Sequence, residues 1–252
     1  MTEAEWWAST GSREWPHRLF HWLSATLATD RKLRLACVAC CRLVEPFAGG
    51  APFPYLLRLL EEFADGKEDY ERVERAVSSI GASHSQRYQS LQVADGHPTL
   101  TEHVELRVQA AILATGSPFR DREWHNSRKS YPYPSYVAED VIGAASLLEQ
   151  QNDTERHIVR LLHDIFGPLP FRDVAISPAW RTSDVLALAR GIYEEKAFDR
   201  MSILADALQD AGCDNDEILT HCRAAGWEHV RGCWVVDLLL GKPWREGDAT
   251  PG

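Results

Sequence analysis

Five residues near the C-terminus have the chemistry to hold a metal: Cys213, His221, Cys222, His229 and Cys233. Thiolate and imidazole are the donors a structural zinc takes, and all five fall within one compact stretch. Their intervals argue the other way. Seven residues separate Cys213 from His221, six separate Cys222 from His229 and three separate His229 from Cys233, and the stretch holds no Cys-x-x-Cys pair. Cys222 and Cys233 also stand among apolar neighbours, where a reduced cysteine serves as a small hydrophobe. The spacing therefore predicts core packing for the thiols, with His221 and His229 directed elsewhere, and keeps zinc as the alternative. A cysteine hydrolase would need one of these thiols activated by His221 or His229. Cys213, just ahead of a helix cap expected at Asp214, is the best placed. No oxyanion hole or orienting residue is identifiable to complete such a site.

Other clusters have plainer readings. Cys37, Cys40 and Cys41 share a helical face, which makes them core rather than ligands. Asp199, Asp206, Asp210, Asp214 and Asp216 alternate with Met201, Leu204 and Leu208 and so form a solvated face, not a cation site. His163-Asp164 and Arg172-Asp173 bracket Gly167-Pro-Leu-Pro170, and no glycine-rich phosphate loop occurs. Trp6, Trp7, Trp15 and Trp22 crowd the start of the chain and predict an aromatic seam, with an exposed docking surface as the alternative.

The elements that must position these residues are helical. Thr2 with Glu5, Thr99 with Glu102, and Asp214 with Glu217 have capping-box spacing ahead of helix-forming sequence. From Asp30 to Val44 the apolar residues Leu33, Cys37, Cys40, Cys41 and Val44 keep one face, and Arg31, Arg34 and Arg42 lie off it. Pro52 or Pro54 opens a helix carrying Leu56, Leu57, Leu60 and Phe63 and stopped by Gly66. A weaker stripe follows from Glu68 to Ile80. Helical spacing returns from Val137 to Glu149 and from Ile158 to Ile165. After Pro178 two stripes, Val185 to Tyr193 and Phe198 to Leu208, read as a helical hairpin. Cys233 to Leu240 fits a buried helix or a strand. Between these blocks Gly116 to Ser135, with Pro118, Pro132, Pro134, Tyr131 and Tyr133, reads as a long loop. The prediction is a mostly α fold of two packed helical subdomains, 1–115 and 153–245, joined through a loop and connecting helix at 116–152.

Three blocks carry a resemblance. They are Arg31-Lys-Leu-Arg-Leu35 with Ala39-Cys-Cys-Arg42; Leu161-Leu-His-Asp-Ile-Phe-Gly167 with Pro170-Phe-Arg172; and Phe198 to Asp214, continuing through His221-Cys-Arg223 to His229-Val-Arg-Gly-Cys-Trp-Val-Val-Asp-Leu-Leu-Leu-Gly-Lys242. In these the chain resembles a large paralogous family of uncharacterised proteins from planctomycete bacteria. The match covers the start to about Val44 and nearly all of Leu161 to Lys242, leaving the middle from about Ala48 to Gln150 outside it. The resemblance brings no activity, cofactor or catalytic residue with it.

Composition bounds the function. The 252 residues are 44% hydrophobic and carry 27 basic against 37 acidic side chains, a net charge of −10. That is an ordinary globular composition able to bury a core. The acidic excess opposes phosphate backbones and anionic membranes, so neither nucleic acid nor membrane is an expected partner. The start lacks the basic and apolar runs of a secretory signal, and six cysteines read as reduced thiols in a cytoplasmic protein. The leading expectation is a non-enzymatic helical module that binds or packs against another protein. The alternatives are a zinc-stabilised module and an enzyme with its site between the two halves.

Overall fold

The computed structural model describes residues 1–9, 15–25, 28–93, 99–116, 133–148, 151–224, 226 and 228–245. Among these the chain forms twelve α-helices and no strand, its one isolated bridge pairing Ala28 with Arg245. The fold is mostly α, as the sequence predicts. Most of the expected Pro/Tyr-rich loop lies outside the described residues; its last three, Tyr133 to Ser135, already belong to a helix.

Local chemistry sets the ends of each helix. In α1 (Glu3–Ala8) Thr2 and Glu5 form the predicted reciprocal cap, as do Thr99 and Glu102 at α6 (Leu100–Thr115). α2 spans Trp15–Ala25 and α3 Asp30–Val44, the latter capped by Thr29 rather than Asp30. α4 (Phe53–Ala64) carries Pro54 in its first turn and is followed by Gly66 at φ 71°. α5 (Tyr70–Val93) runs well beyond the weak stripe that announces it. α7 (Tyr133–Leu147) and α8 (Gln151–Phe166) follow. α8 stops at Gly167, whose φ of 51° disfavours side chains and whose Cβ position lies 2.6 Å from Trp234.

The hairpin is α9 (Ser183–Glu195) and α10 (Met201–Asp210). α11 (Asp216–Arg223) corrects its expected cap. Asn215, not Asp214, accepts the amides of Glu217 and Ile218 at 3.0 and 3.2 Å. The ambiguous last run is a helix, α12 (Trp234–Leu239), with Cys233 at its N-cap position.

Two hydrophobic clusters fill the interior. The first draws on residues from Trp6 to Phe166, with α3 packed against α4, α6, α7 and α8. The second draws on residues from Leu169 to Trp244 and holds α9 to α12. α7 and α8 therefore pack in the first cluster, although the sequence assigns α8 to the C-terminal unit. The last turn of α8 lies between the clusters and is buried on every side from Leu161 to Phe166. The Trp seam is present. Trp6 is buried beside Trp22, Phe171 and His163, and Trp22 stacks on Phe171 at 5.0 Å, while Trp7 remains 40% exposed. Trp15 lies at the start of α2, its side chain outside the described residues.

A charged seam joins the clusters, and it overturns one expectation about α3. Arg34 is not exposed: it is buried, donates to the Thr115 carbonyl and lies over Phe63. Arg42 is half-buried against Glu61 and Glu45. Arg31 reaches across to Asp237 at 2.7 and 3.0 Å and to Asp65 at 3.1 Å. Tyr193 donates to Asp65 at 2.6 Å and accepts from Arg31, and Arg231 and Lys242 close around the same carboxylate. These charges are retained inside because each has an opposite partner; removing one partner of such a pair costs about 3–5 kcal/mol.

Candidate metal centre

Four donor atoms meet where α8, α11 and the start of α12 converge. Asp164 comes from the buried last turn of α8, His221 from α11, and His229 and Cys233 from the short segment that leads into α12. Asp164, His221, His229 and Cys233 each offer one ligand atom, all within 4.8 Å of one another. His221 Nε2 lies 3.2 Å from Cys233 Sγ and 3.3 Å from Asp164 Oδ1. His229 Nδ1 lies 2.6 Å from the same carboxylate oxygen and 4.0 Å from the thiol. A tetrahedron drawn around zinc at ligand distances of 2.0–2.3 Å has edges of about 3.3–3.8 Å. The observed separations bracket that range.

The electrostatics favour a cation. Asp164 is fully buried, and among the described residues the ion pairs it makes are with imidazoles, not with lysine or arginine. Burial works to raise its carboxyl, but hydrogen bonds from His221 and His229 outweigh that and hold it at about 2. Burial pushes the Cys233 thiol well above its ordinary range, with the Asp164 charge adding to the effect, and lowers His221 against the pull of Asp164. A divalent ion would displace the thiol proton, so that carboxylate, thiolate and two neutral imidazoles leave the buried site with no net charge. The second Asp164 oxygen accepts the Val230 amide at 2.9 Å, which fixes the carboxylate's orientation.

These positions correct the sequence expectation in part. His221 and His229 do not point elsewhere: their rings meet edge to face at 4.8 Å, with Cys233 beside them. Cys213 and Cys222 stay in the second hydrophobic cluster, as core packing predicts, and burial pushes Cys222 up to about 12. Cys37, Cys40 and Cys41 are buried in the first cluster, and all six cysteines are free of disulfides. Asp199, Asp206, Asp210, Asp214 and Asp216 are exposed, the solvated positions expected of them. Sequence reasoning did not place Asp164 among the candidate donors. His163, its neighbour, faces Trp6 and Ser9 instead, and burial holds it at about 4.

The geometry is unsuited to a Cys-His-Asp hydrolase. In such a triad one ring nitrogen faces the nucleophile and the other faces the carboxylate. Here each histidine turns a single nitrogen toward both Cys233 and Asp164, and the thiol is buried. A cavity of about 170 Å³ does open at the charged seam, over Leu35, Leu161 and Val230. Its cations Arg42, Lys196 and Arg231 are already engaged by Glu61 or Asp65. No described helix is long and apolar enough to cross a membrane. Comparison with family models, curated proteins and solved structures returned no match.

Proposed function

We propose that this chain is a zinc-stabilised helical module, non-enzymatic, that presents its folded surface to another protein. The observation that supports this is the convergence of Asp164, His221, His229 and Cys233 within 4.8 Å in a buried place. The donor set selects the ion. Two imidazoles and a thiolate suit zinc and exclude calcium or magnesium, which take oxygen ligands at higher coordination. Four protein ligands close the tetrahedron and leave no position for water, which is the arrangement of a structural rather than a catalytic zinc. Six unbridged thiols fit a reducing, cytoplasmic compartment.

The test is metal analysis of chain prepared without a histidine tag and without added zinc. One zinc per chain is expected, lost in Cys233→Ser and in His229→Ala and kept in Cys213→Ser. Chelation should reduce the helical signal and zinc should restore it, because structural metal binding is folding free energy. A metal-free preparation that is fully helical, with a thermal midpoint unmoved by added zinc, would overturn the proposal.

A further inference from the structure

The four proposed ligands come from three stretches of chain, and α3 contributes none of them, yet α3 reaches the backbone beside two. Lys32 is buried with no exposed surface, an unusual place for a lysine. Its ammonium donates to the Ile165 carbonyl at 2.8 Å and to the Gly232 carbonyl at 2.6 Å, and it pairs with Asp237 at 2.7 Å. Ile165 directly follows Asp164, and Gly232 directly precedes Cys233.

Each of these contacts answers a local need. The Ile165 carbonyl is among the last four of α8, where no helical amide remains to pair with it, and a cation there also suits the helix dipole. Gly232 adopts φ 98°, and a Cβ placed on it would lie 3.1 Å from Leu35, so this backbone rests on α3. Three acceptors match the three protons of an ammonium group, leaving none over.

We infer that Lys32 is a positioning residue of the metal centre. It clamps the backbone next to Asp164 to the backbone next to Cys233, so that two of the four donors are held in register before an ion arrives. The inference rests on the zinc reading. Ligand-orienting groups outside the coordination sphere change metal affinity by about 10–100-fold.

The rival account is that Lys32 only neutralises Asp237. Three chains separate the two: Lys32→Met, which leaves Asp237 paired with Arg31 alone, Asp237→Asn, and the double variant, which removes the clamp and the carboxylate together. Zinc affinity is read by competition with a chromophoric chelator, and ligand geometry by the visible absorption of the cobalt-loaded protein. Asp237→Asn should keep the wild-type cobalt spectrum. Lys32→Met and the double variant should lose about tenfold or more in zinc affinity relative to Asp237→Asn and show a shifted spectrum. Should neither methionine variant fold, Lys32→Gln makes the comparison, because its uncharged amide nitrogen falls one bond short of the ammonium and loosens the hold on the two carbonyls. Zinc affinity and spectrum matching those of Asp237→Asn would overturn the inference. Wild-type chain that takes up no zinc refutes the underlying metal reading instead.

Discussion

Acid should uncouple the two cores through Asp237, and the size of the effect follows from the contacts around it. Burial works to raise this carboxyl, but Arg31 and Lys32 outweigh it and hold it at about 2 against an ordinary 3.8. That difference corresponds to roughly 2 kcal/mol of stability. The sign is fixed by the folded value lying below the unfolded one: the contribution is complete above about pH 4 and disappears as pH falls toward 2. In Asp237→Asn it is missing throughout. At neutral pH the variant also leaves Lys32 with two carbonyls and no counter-charge, so it should be less stable than wild type by about 3–5 kcal/mol. Urea unfolding followed by circular dichroism, repeated from pH 7 to pH 2.5, measures the gap between the two proteins. Loss of an ion from the proposed site in acid would be common to both chains, so the change in the gap isolates Asp237. The gap should narrow by about 2 kcal/mol as the wild type loses its ionised carboxylate. A gap equally wide at both ends of the range would refute the coupling.

Two further outcomes test the packing. Cys40→Ser places a hydroxyl in a site with no exposed surface and should cost about 1–3 kcal/mol, read as a lower thermal midpoint. Asn215→Ala should cost about 1 kcal/mol through loss of the α11 cap, whereas Asp214→Ala, at an exposed position, should stay within about 0.5 kcal/mol of wild type in the same denaturation assay.

Helices were legible wherever a local rule sets them. The reciprocal caps at Thr2 and Thr99, and the apolar stripes of α4, α9 and α10, each require only neighbours within a few turns. Lys32 and Arg34 escaped that reading because periodicity assigns a charged residue to solvent. Their partners, Gly232 and Thr115 among them, lie far along the chain. The candidate metal centre was half legible. His221, His229 and Cys233 stood out by residue type, but the spacing rules for zinc describe ligands on turns within one stretch, and here the fourth comes from α8. Asp164 gave no periodic signal, because the last turn of α8 is buried on all sides and has no polar face against which a buried carboxylate would look misplaced.

The contact between Arg31 and Asp237 spans 206 residues of chain. Such a closure restricts an enormous loop at once, and its entropic cost falls on whichever step brings the ends together. The helices of the first cluster can meet through shorter closures, so the seam is expected to assemble late, after the folding barrier. Interactions absent from a transition state slow unfolding without hastening folding. The charged seam would then act as a latch on the finished molecule: it sets how long the native state lasts rather than how quickly it is reached.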